Sequence, residues 1–228
     1  MSRLTAAILT LLITTAGPAT RERNGANRPF ATLAANVADG EAKPEYAPII
    51  ERNLDFFDFT LKTLEDRPFN LREYAAGKPV VIVEYFAGWC ANSNRNAQVV
   101  ERLWTRYRTR GLGVVAVAEY SNSDEVRIHI NRIGIDYPVV IETKKRGERK
   151  DSSHYKYRRA VGDKRRWGTP FYAIIETQDI EPPEGNAPLA RRVYTVSGEI
   201  IESEAERFLE QRLPKTATNR SGAAIPMP

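Results

Sequence analysis

The chain has 228 residues, 42% of them hydrophobic and 28% charged, a balance that predicts one soluble globular domain with tails. Its net charge of +5 is too small for this length to indicate nucleic-acid binding. A single cysteine excludes an internal disulfide, and with only two histidines a Cys/His zinc site is implausible, so we expect neither a metal nor a cofactor.

Residues 1–19 have the pattern of a signal peptide. Arg3 gives a positive start, Leu4 to Ile13 form an apolar run too short to span a bilayer, and Gly17-Pro18-Ala19 offer small residues for cleavage. The pattern predicts export to the periplasm or the extracellular space, with no membrane span left after cleavage. The alternative is an apolar N-terminus on a cytoplasmic protein.

The remainder of the chain divides by composition. Residues 20–54 are small and polar without a sustained period, which is typical of a linker. We expect one folded domain over residues 55–213 and a disordered tail over residues 214–228.

The hydrophobic pattern predicts an α/β domain with a central mixed sheet and helices on both faces. The predicted strands are a pair at Phe56–Leu61 and Pro68–Leu71, four strands at Val80–Phe86, Val114–Ala118, Tyr137–Ile141 and Pro170–Glu176, and a hairpin over Val193–Ile201. The predicted helices are a single turn at Leu71–Ala76, one helix after Cys90, one from Asp124 and one over Ser153–Val161. A last helix is predicted to begin with a capping box of Ser203 and Glu206.

Cys90 lies where a buried strand is predicted to turn into a helix. The unpaired N–H groups and the dipole at a helix N-terminus favour an anion, so a thiol there is predicted to react readily as a thiolate. The alternative is a buried and inert cysteine.

The residues around this turn resemble a known family. The stretch FTLKTLEDRPFNLREYAAGKPVVIVEYFAGWCANS, from Phe59 to Ser93, is similar to the opening of thioredoxin-like proteins of the exported TlpA/ResA type. The resemblance continues through GVVAVA and IGIDYPVVIE to Trp167-Gly168-Thr169-Pro170, which matches the cis-proline loop of that family. It covers about Asp55 to Leu213 and implies a thioredoxin-like fold with a short N-terminal β-hairpin.

The resemblance also implies roles for individual residues. Glu84 matches a buried carboxylate that moves protons near the active sulfur, although a strand residue at a solvated edge is an equal alternative. Trp89 is expected to shield the sulfur and to offer a flat docking surface. A cis Pro170 would present the backbone of Thr169 for strand-like pairing with a substrate peptide.

Ser93 departs from the family, which has a second cysteine at this position. A second cysteine resolves the mixed disulfide formed by the first, and an alcohol does not attack sulfur at neutral pH. The sequence therefore predicts monothiol chemistry at Cys90 on thiols or disulfides of exported proteins, completed by an external thiol or a redox partner. Ser93 is further expected to donate a hydrogen bond to the Cys90 sulfur.

Two other functions remain open. One is a peptide-binding or protein-binding module that has lost redox activity and kept the groove. The other, a one-cysteine peroxidase, is weaker because the Pro-x-x-x-Thr-x-x-Cys pattern is absent before Cys90.

The segment 144–166 is strongly basic. The simplest interpretation is a solvated face; the sharper one is a docking surface for an acidic partner, since the segment leads into the proline loop. Its aromatic residues could suggest RNA, but predicted export argues against nucleic acid. We expect His129 to be a satisfied structural histidine and His154 to be exposed.

Overall fold

The computed structural model describes residues 43–215, and the predicted signal peptide and most of the predicted linker and tail lie outside them. The strands are β1 (Tyr46–Ala47), β2 (Ile50–Phe56), β3 (Thr60–Thr63), β4 (Pro68–Asn70), β5 (Val80–Phe86), β6 (Leu112–Ala118), β7 (Val139–Ile141), β8 (Phe171–Glu176), β9 (Ala190–Val196) and β10 (Glu199–Ile200). The helices are α1 (Leu71–Ala75), α2 (Ala91–Tyr107), α3 (Ser123–Ile133), α4 (Ser153–Ala160) and α5 (Glu202–Arg212).

Eight strands form one mixed sheet in the order β2-β9-β8-β5-β6-β7-β3-β4. The central strands β5, β6 and β7 run parallel, and the strands on either side of them are antiparallel to their neighbours. β5 and β6 are buried along their whole length, as expected of hydrophobic runs covered on both faces. The predicted α/β architecture and the N-terminal hairpin, seen here as β3 and β4, are confirmed.

Alternate residues of β5 supply two separate cores. Val80, Ile82 and Phe86 point to the face covered by α2, α3 and α5. Val81, Val83 and Tyr85 point to the face covered by α1 and α4. Successive strand residues face opposite sides of a sheet. A strand that is hydrophobic on both faces therefore needs a layer of helices on each side to cover it. Both layers hold the carboxyl end of β5, where the Cys90 turn begins, in a fixed position.

Two strands, β1 and β2, begin before the predicted domain boundary at residue 55. β2 pairs with β9 and forms one edge of the sheet, with Leu54 and Phe56 buried. The sequence of β2 is IERNLDF, whose charged and amide residues are typical of an exposed edge and conceal the strand in a hydrophobicity pattern. The predicted strand Phe56–Leu61 is accordingly wrong: Phe56 ends β2, and Thr60 begins β3 near the opposite edge.

The hairpin predicted over Val193–Ile201 is also wrong. β10 pairs in parallel with β1 rather than with β9, and the amide of Glu199 donates to the carbonyl of Glu45 at 2.7 Å. A Cβ at Gly198 would lie 2.1 Å from that same carbonyl oxygen. Gly198 is therefore needed for the close approach of two backbones and not for a two-residue turn.

The capping box predicted for the last helix is not formed. α5 begins two residues earlier than a Ser203 cap implies, at Glu202, and the side chain of its N-cap residue Ile201 makes no capping hydrogen bond. Glu206 instead pairs with Arg106 of α2. An ion pair between helices has replaced the local contact that the sequence pattern suggested. No helix in residues 43–215 is long and apolar enough to cross a membrane.

Candidate functional site

Cys90 is the N-cap residue of α2, with extended backbone angles of φ −81° and ψ 120°. Its side chain is partly exposed and makes no capping hydrogen bond to the helix. The sulfur therefore lies at the positive end of a helix of 17 residues and is not used to satisfy the first turn.

The turn before Cys90 is fixed by backbone contacts. A Cβ at Gly88 would lie 2.6 Å from the carbonyl oxygen of Glu125 in α3, so only glycine fits there. Asn94, in the first turn of α2, donates from its side-chain amide to the carbonyls of Gly88 and Cys90, both at 3.1 Å. The side-chain oxygen of Asn94 lies 2.7 Å from Nδ1 of His129. The turn is thus connected to α3 through Gly88 and Asn94.

His129 is buried as expected, but it is not fully satisfied. Its ring stacks on Phe86 with centroids 4.4 Å apart, and Nε2 is buried without a hydrogen-bond partner in the described part of the chain. Burial lowers the pKa of His129 to about 4, so the ring is neutral at physiological pH. A neutral ring leaves Nε2 unprotonated while Nδ1–H donates to Asn94.

The Thr169–Pro170 peptide bond is cis, as the resemblance implies. The carbonyl oxygen of Thr169 accepts a hydrogen bond from the thiol of Cys90, with a sulfur–oxygen distance of 3.4 Å. Both Thr169 and Pro170 are buried. The structure thus brings together Cys90, Thr169 and Pro170, three of the residues that the sequence assigned to one site.

Ser93 does not have the contact that was expected of it. Its side chain is fully buried, and its hydroxyl oxygen accepts a hydrogen bond from the amide of Ala87 at 3.4 Å. Among residues 43–215, the hydrogen bond of the Cys90 sulfur is with Thr169 and not with Ser93. The predicted role of Ser93 as a donor to the thiol is corrected accordingly.

Glu84 is fully buried in the middle of the sheet, so the alternative of a solvated edge is wrong. Its two carboxyl oxygens each accept a hydrogen bond at 3.3 Å, one from Tyr137 and one from Tyr172. Burial raises the pKa of Glu84 to about 7, and the two tyrosine hydroxyls oppose this only in part. The hydroxyl of Tyr172 also lies 2.6 Å from the side-chain oxygen of Asn96 in α2, so this tyrosine connects Glu84 to the helix of Cys90.

Two tryptophans lie beside the cysteine turn, and arginines cover them. The rings of Trp89 and Trp167 meet edge to face with centroids 5.2 Å apart. The guanidinium of Arg146 lies 4.7 Å from the ring centre of Trp89, and those of Arg149 and Arg166 lie 5.2 and 5.3 Å from that of Trp167. We call these five residues the tryptophan–arginine surface. Cation–π contacts of this kind position the guanidinium groups over the rings, and the groups keep their positive charge.

The basic segment is more than a solvated face. Arg158 is buried, and its guanidinium donates to the carbonyls of Arg165 and Arg166 at 2.6 and 3.3 Å. Arg165 donates to the carbonyls on either side of Thr169, those of Gly168 and Pro170, both at 3.0 Å. These two arginines therefore hold the cis-proline loop, and the interpretation of the whole segment as a solvated face is wrong for them.

His154, expected to be exposed, is completely buried in the first turn of α4. Its Nδ1 lies 2.8 Å from the hydroxyl of Tyr120, and its Nε2 lies 3.1 Å from the carbonyl oxygen of Gly168. Burial lowers the pKa of His154 to about 3. A basic surrounding sequence suggested exposure, but α4 turns this position toward the aromatic core.

Sequence reasoning missed Tyr120 and Asn94. Tyr120 follows β6 with φ at +56°, and its carbonyl accepts the indole N–H of Trp89 at 3.0 Å. Both residues could have been found from their positions relative to the predicted strand and the predicted helix. Tyr120 lies two residues after the carboxyl end of a buried strand, and Asn94 lies in the first turn of the Cys90 helix.

Comparisons with known proteins agree with this fold. A model of the AhpC/TSA family matches residues 53–154. The thiol-disulfide oxidoreductase ResA of Halalkalibacterium halodurans is 28% identical over 85 residues, which are 37% of this chain and 47% of the relative. The chain thus matches less than half of the length of this curated relative.

Solved structures of the same kind are also similar. The C-terminal domain of a thiol-disulfide oxidoreductase candidate from Bacteroides thetaiotaomicron has a TM-score of 0.50 at 12% identity, covering 71% of this chain and 95% of its own. A thiol:disulfide interchange protein of the thioredoxin family from Chlorobium tepidum has a TM-score of 0.48 at 19% identity, covering 75% and 97%. The thioredoxin-like resemblance inferred from the sequence is confirmed.

Proposed function

We propose that this thioredoxin-fold protein, which is similar to thiol-disulfide oxidoreductases, exchanges disulfides with other proteins through Cys90 alone. One observation carries the proposal: a partly exposed cysteine at the N-terminus of α2 donates to the carbonyl of Thr169, while a buried serine occupies the position of the second cysteine. Cys90 lies at the positive end of α2, and Ser93 limits the reaction to one protein sulfur.

The reaction consists of two exchanges. The Cys90 thiolate attacks one sulfur of a partner disulfide; that S–S bond breaks, a Cys90–partner disulfide forms, and the other partner sulfur leaves as a thiolate that takes up a proton. An external thiolate then attacks the partner sulfur of the mixed disulfide and releases Cys90 as a thiolate. The external thiol and the partner end in a disulfide, so no further oxidant or reductant is required.

The contact with Thr169 provides a link between chemistry and binding. A Cys90 sulfur that enters a mixed disulfide no longer has a proton to donate. The Thr169 carbonyl is then free to accept an N–H from an extended partner peptide, as in the addition of a strand. Formation of the covalent bond and pairing with the peptide therefore support each other at this carbonyl.

Glu84 contributes through its charge state. With a pKa of about 7, Glu84 is mostly protonated in mildly acidic solution and about half ionised at neutral pH, so it can take up or release a proton beside Tyr172, which contacts the Cys90 helix.

The partner is a protein with an acidic surface near its reacting cysteine. In residues 43–215, Arg149 and Arg166 form no ion pair, whereas Arg146 is paired with Glu125 at 3.1 Å. Two uncompensated guanidinium groups next to the cysteine turn favour an anionic surface on the partner. The basic segment 144–166 thus serves both purposes: Arg158 and Arg165 hold the proline loop, and Arg149, which also donates to the carbonyl of Arg166 at 2.7 Å, and Arg166 offer charge to the partner.

The site of action is outside the cytoplasm. The apolar run from Leu4 to Ile13, followed by Gly17-Pro18-Ala19, supports export with cleavage after Ala19. The folded domain then extends from β1 to the end of α5. Mass spectrometry of the protein from its own cells tests this: a mature chain that starts at Thr20 is expected, and an intact Met1 in the cytoplasmic fraction would contradict it.

The proposal is tested by trapping a mixed disulfide. Purified protein is mixed with an excess of a disulfide-linked acidic peptide, quenched in acid and weighed by mass spectrometry. We expect one peptide adduct, lost on addition of a small thiol and absent from Cys90→Ser. The absence of any adduct on the wild-type protein would contradict the function.

A binding module without redox activity is the second candidate, favoured by Ser93 and by the tryptophan–arginine surface. It predicts equal peptide affinity in the wild-type protein and Cys90→Ser, with no covalent adduct in either. A one-cysteine peroxidase would instead consume hydrogen peroxide in proportion to added thiol, and we expect no such consumption.

A further inference from the structure

A chain of hydrogen bonds that passes through Tyr120 and His154 connects the two sides of the Cys90 site. It begins at Trp89, whose indole N–H donates to the carbonyl of Tyr120 at 3.0 Å. The hydroxyl of Tyr120 lies 2.8 Å from Nδ1 of His154, and Nε2 of His154 lies 3.1 Å from the carbonyl oxygen of Gly168. Trp89 directly precedes Cys90, and Gly168 directly precedes Thr169, so the chain ends on both sides of the thiol.

The carbonyl oxygen of Gly168, at one end of this chain, determines which groups carry the protons. A carbonyl oxygen only accepts, so Nε2 of His154 carries a proton and donates it to Gly168. Nδ1 is then the acceptor in a neutral ring, and the hydroxyl of Tyr120 donates to it. Burial and the nearby cations Arg158 and Arg165 lower the pKa of His154 to about 3, which keeps this single arrangement throughout the physiological range.

Tyr120 has a backbone conformation that tyrosine rarely adopts. Its φ of +56° lies in the left-handed region, which is unfavourable for a residue with a Cβ. Its amide donates to the hydroxyl of Thr143 at 2.9 Å, and its carbonyl accepts from Trp89. Such a conformation persists only where the surroundings hold it, and such residues cluster at functional sites.

The packing of this part of the core does not by itself require a histidine at position 154. His154 packs among aromatic rings, with Tyr85 at 5.3 Å and Phe171 at 5.7 Å between centroids. An apolar side chain would fill this space without the cost of burying two ring nitrogens. A fully bonded polar network specifies one arrangement of the groups that it joins.

We propose that Tyr120 and His154 are positioning residues for the reaction at Cys90, because their hydrogen bonds fix the Trp89 turn and the Thr169–Pro170 loop relative to each other. The inference rests on the proposed disulfide exchange for its functional meaning. Neither side chain has a recorded contact with the sulfur in residues 43–215; both act through Trp89 and Gly168.

Tyr120→Phe tests the proposal, with Tyr157→Phe as a matched control. Tyr157 is also buried, and its hydroxyl accepts from the amide of Phe57 at 2.9 Å, outside this chain of bonds. Both variants lose one buried hydroxyl, so both are expected to lower the midpoint of thermal unfolding. Only Tyr120→Phe should slow mixed-disulfide formation with the peptide, by about tenfold or more, since small displacements of reacting groups have large effects on rate.

A second measurement separates positioning from lost stability. Alkylation of Cys90 by iodoacetamide needs no peptide pairing, and a loosened Trp89 turn should make it about threefold faster in Tyr120→Phe and unchanged in Tyr157→Phe. His154→Gln, which retains a donor for Gly168, should behave between wild type and Tyr120→Phe. Equal effects of Tyr120→Phe and Tyr157→Phe on both rates would overturn the proposal.

The two proposals can fail separately. If the wild-type protein forms no peptide adduct, disulfide exchange is wrong. The positioning role is then decided by alkylation: a faster rate confined to Tyr120→Phe supports it, and unchanged alkylation in that variant contradicts it.

Discussion

The sulfur of Cys90 and the carbonyl oxygen of Thr169 lie 3.4 Å apart, although 79 residues separate them in the chain. One belongs to the end of β5 and the start of α2, and the other to the loop that enters β8. β5 and β8 are hydrogen-bonded neighbours in the sheet, and this pairing brings the two groups together. The site is thus built across one strand pair, and its reactivity depends on the loop as much as on the helix.

A second thiol should restore a complete redox cycle. In Ser93→Cys the new sulfur would lie one helical turn from Cys90, and we expect the pair to form a disulfide and to reduce insulin in the presence of dithiothreitol. The wild-type protein should show little of this activity. The variant that combines Ser93→Cys with Cys90→Ser is the control, and activity in it equal to that of Ser93→Cys would show that Cys90 is not the attacking sulfur.

Glu84 should make stability depend on pH. Its pKa is raised from 4.5 to about 7 in the folded state, so between these values the unfolded chain is ionised while the folded one keeps its proton. The stability that Glu84 contributes is therefore lost as the pH rises through this range, by about 3 kcal/mol at 1.36 kcal/mol per unit.

Urea unfolding of Glu84→Gln from pH 4.5 to 8 measures this loss. The variant should lack the contribution of Glu84, so the difference in free energy of unfolding between Glu84→Gln and the wild type should change by about 3 kcal/mol in favour of the variant between pH 4.5 and 8. Glu184→Gln, in an exposed loop, should give a curve parallel to that of the wild type. Parallel curves for the wild type and Glu84→Gln would contradict the assignment.

Gly168 should tolerate no side chain. Its φ is +72°, and a Cβ there would lie 2.5 Å from Cδ of the buried Arg158. Gly162 has a similar φ of +85° with nothing within 4 Å, so Gly162→Ala carries the backbone cost alone, about 1 kcal/mol.

In Gly168→Ala, overpacking against Arg158 adds roughly 1–3 kcal/mol to that cost. Displacement of Arg158 should also slow the formation of the mixed disulfide, since Arg158 holds the carbonyls of the proline loop. Chemical denaturation and adduct kinetics compare the two variants. Equal losses of stability would indicate that Arg158 moves away at no cost and does not hold the loop.

Charge reversal should identify the partner surface. Arg149→Glu and Arg166→Glu should each slow the reaction with an acidic peptide by roughly tenfold at low salt and by less at higher ionic strength. Arg207→Glu is the control: Arg207 is exposed next to Glu206, which pairs with Arg106, about 24 Å along α2 from Cys90. A similar loss for all three variants would reflect net charge and not a specific surface.

Much of the fold could be predicted because its central strands are hydrophobic along their whole length. The runs at β5 and β6 leave no polar face, and the glycine that ends α3, Gly134, has φ +81° as its position suggests. The strands at the edge of the sheet were harder to predict. β2 carries charged residues, and the pairing of β10 with β1 depends on two segments 153 residues apart, from Tyr46 to Glu199, which no local pattern records.

The residues of the candidate site also divide into those that the sequence predicts and those that it does not. Cys90, Glu84 and Pro170 follow from local sequence and from the family resemblance. The burial of His154 and the role of Arg158 could not be predicted, because a segment rich in Lys and Arg is usually solvated. Whether a polar side chain is buried depends on the tertiary contacts of α4, here with Tyr120 and Gly168.

The central claim is that one sulfur starts the exchange and that no second sulfur completes it. The lifetime of the mixed disulfide tests this most directly, measured by intact mass after the excess peptide has been removed. In the wild-type protein the adduct should persist until a small thiol is added, and in Ser93→Cys it should disappear without one. A wild-type adduct that resolves by itself to free Cys90 would contradict the account.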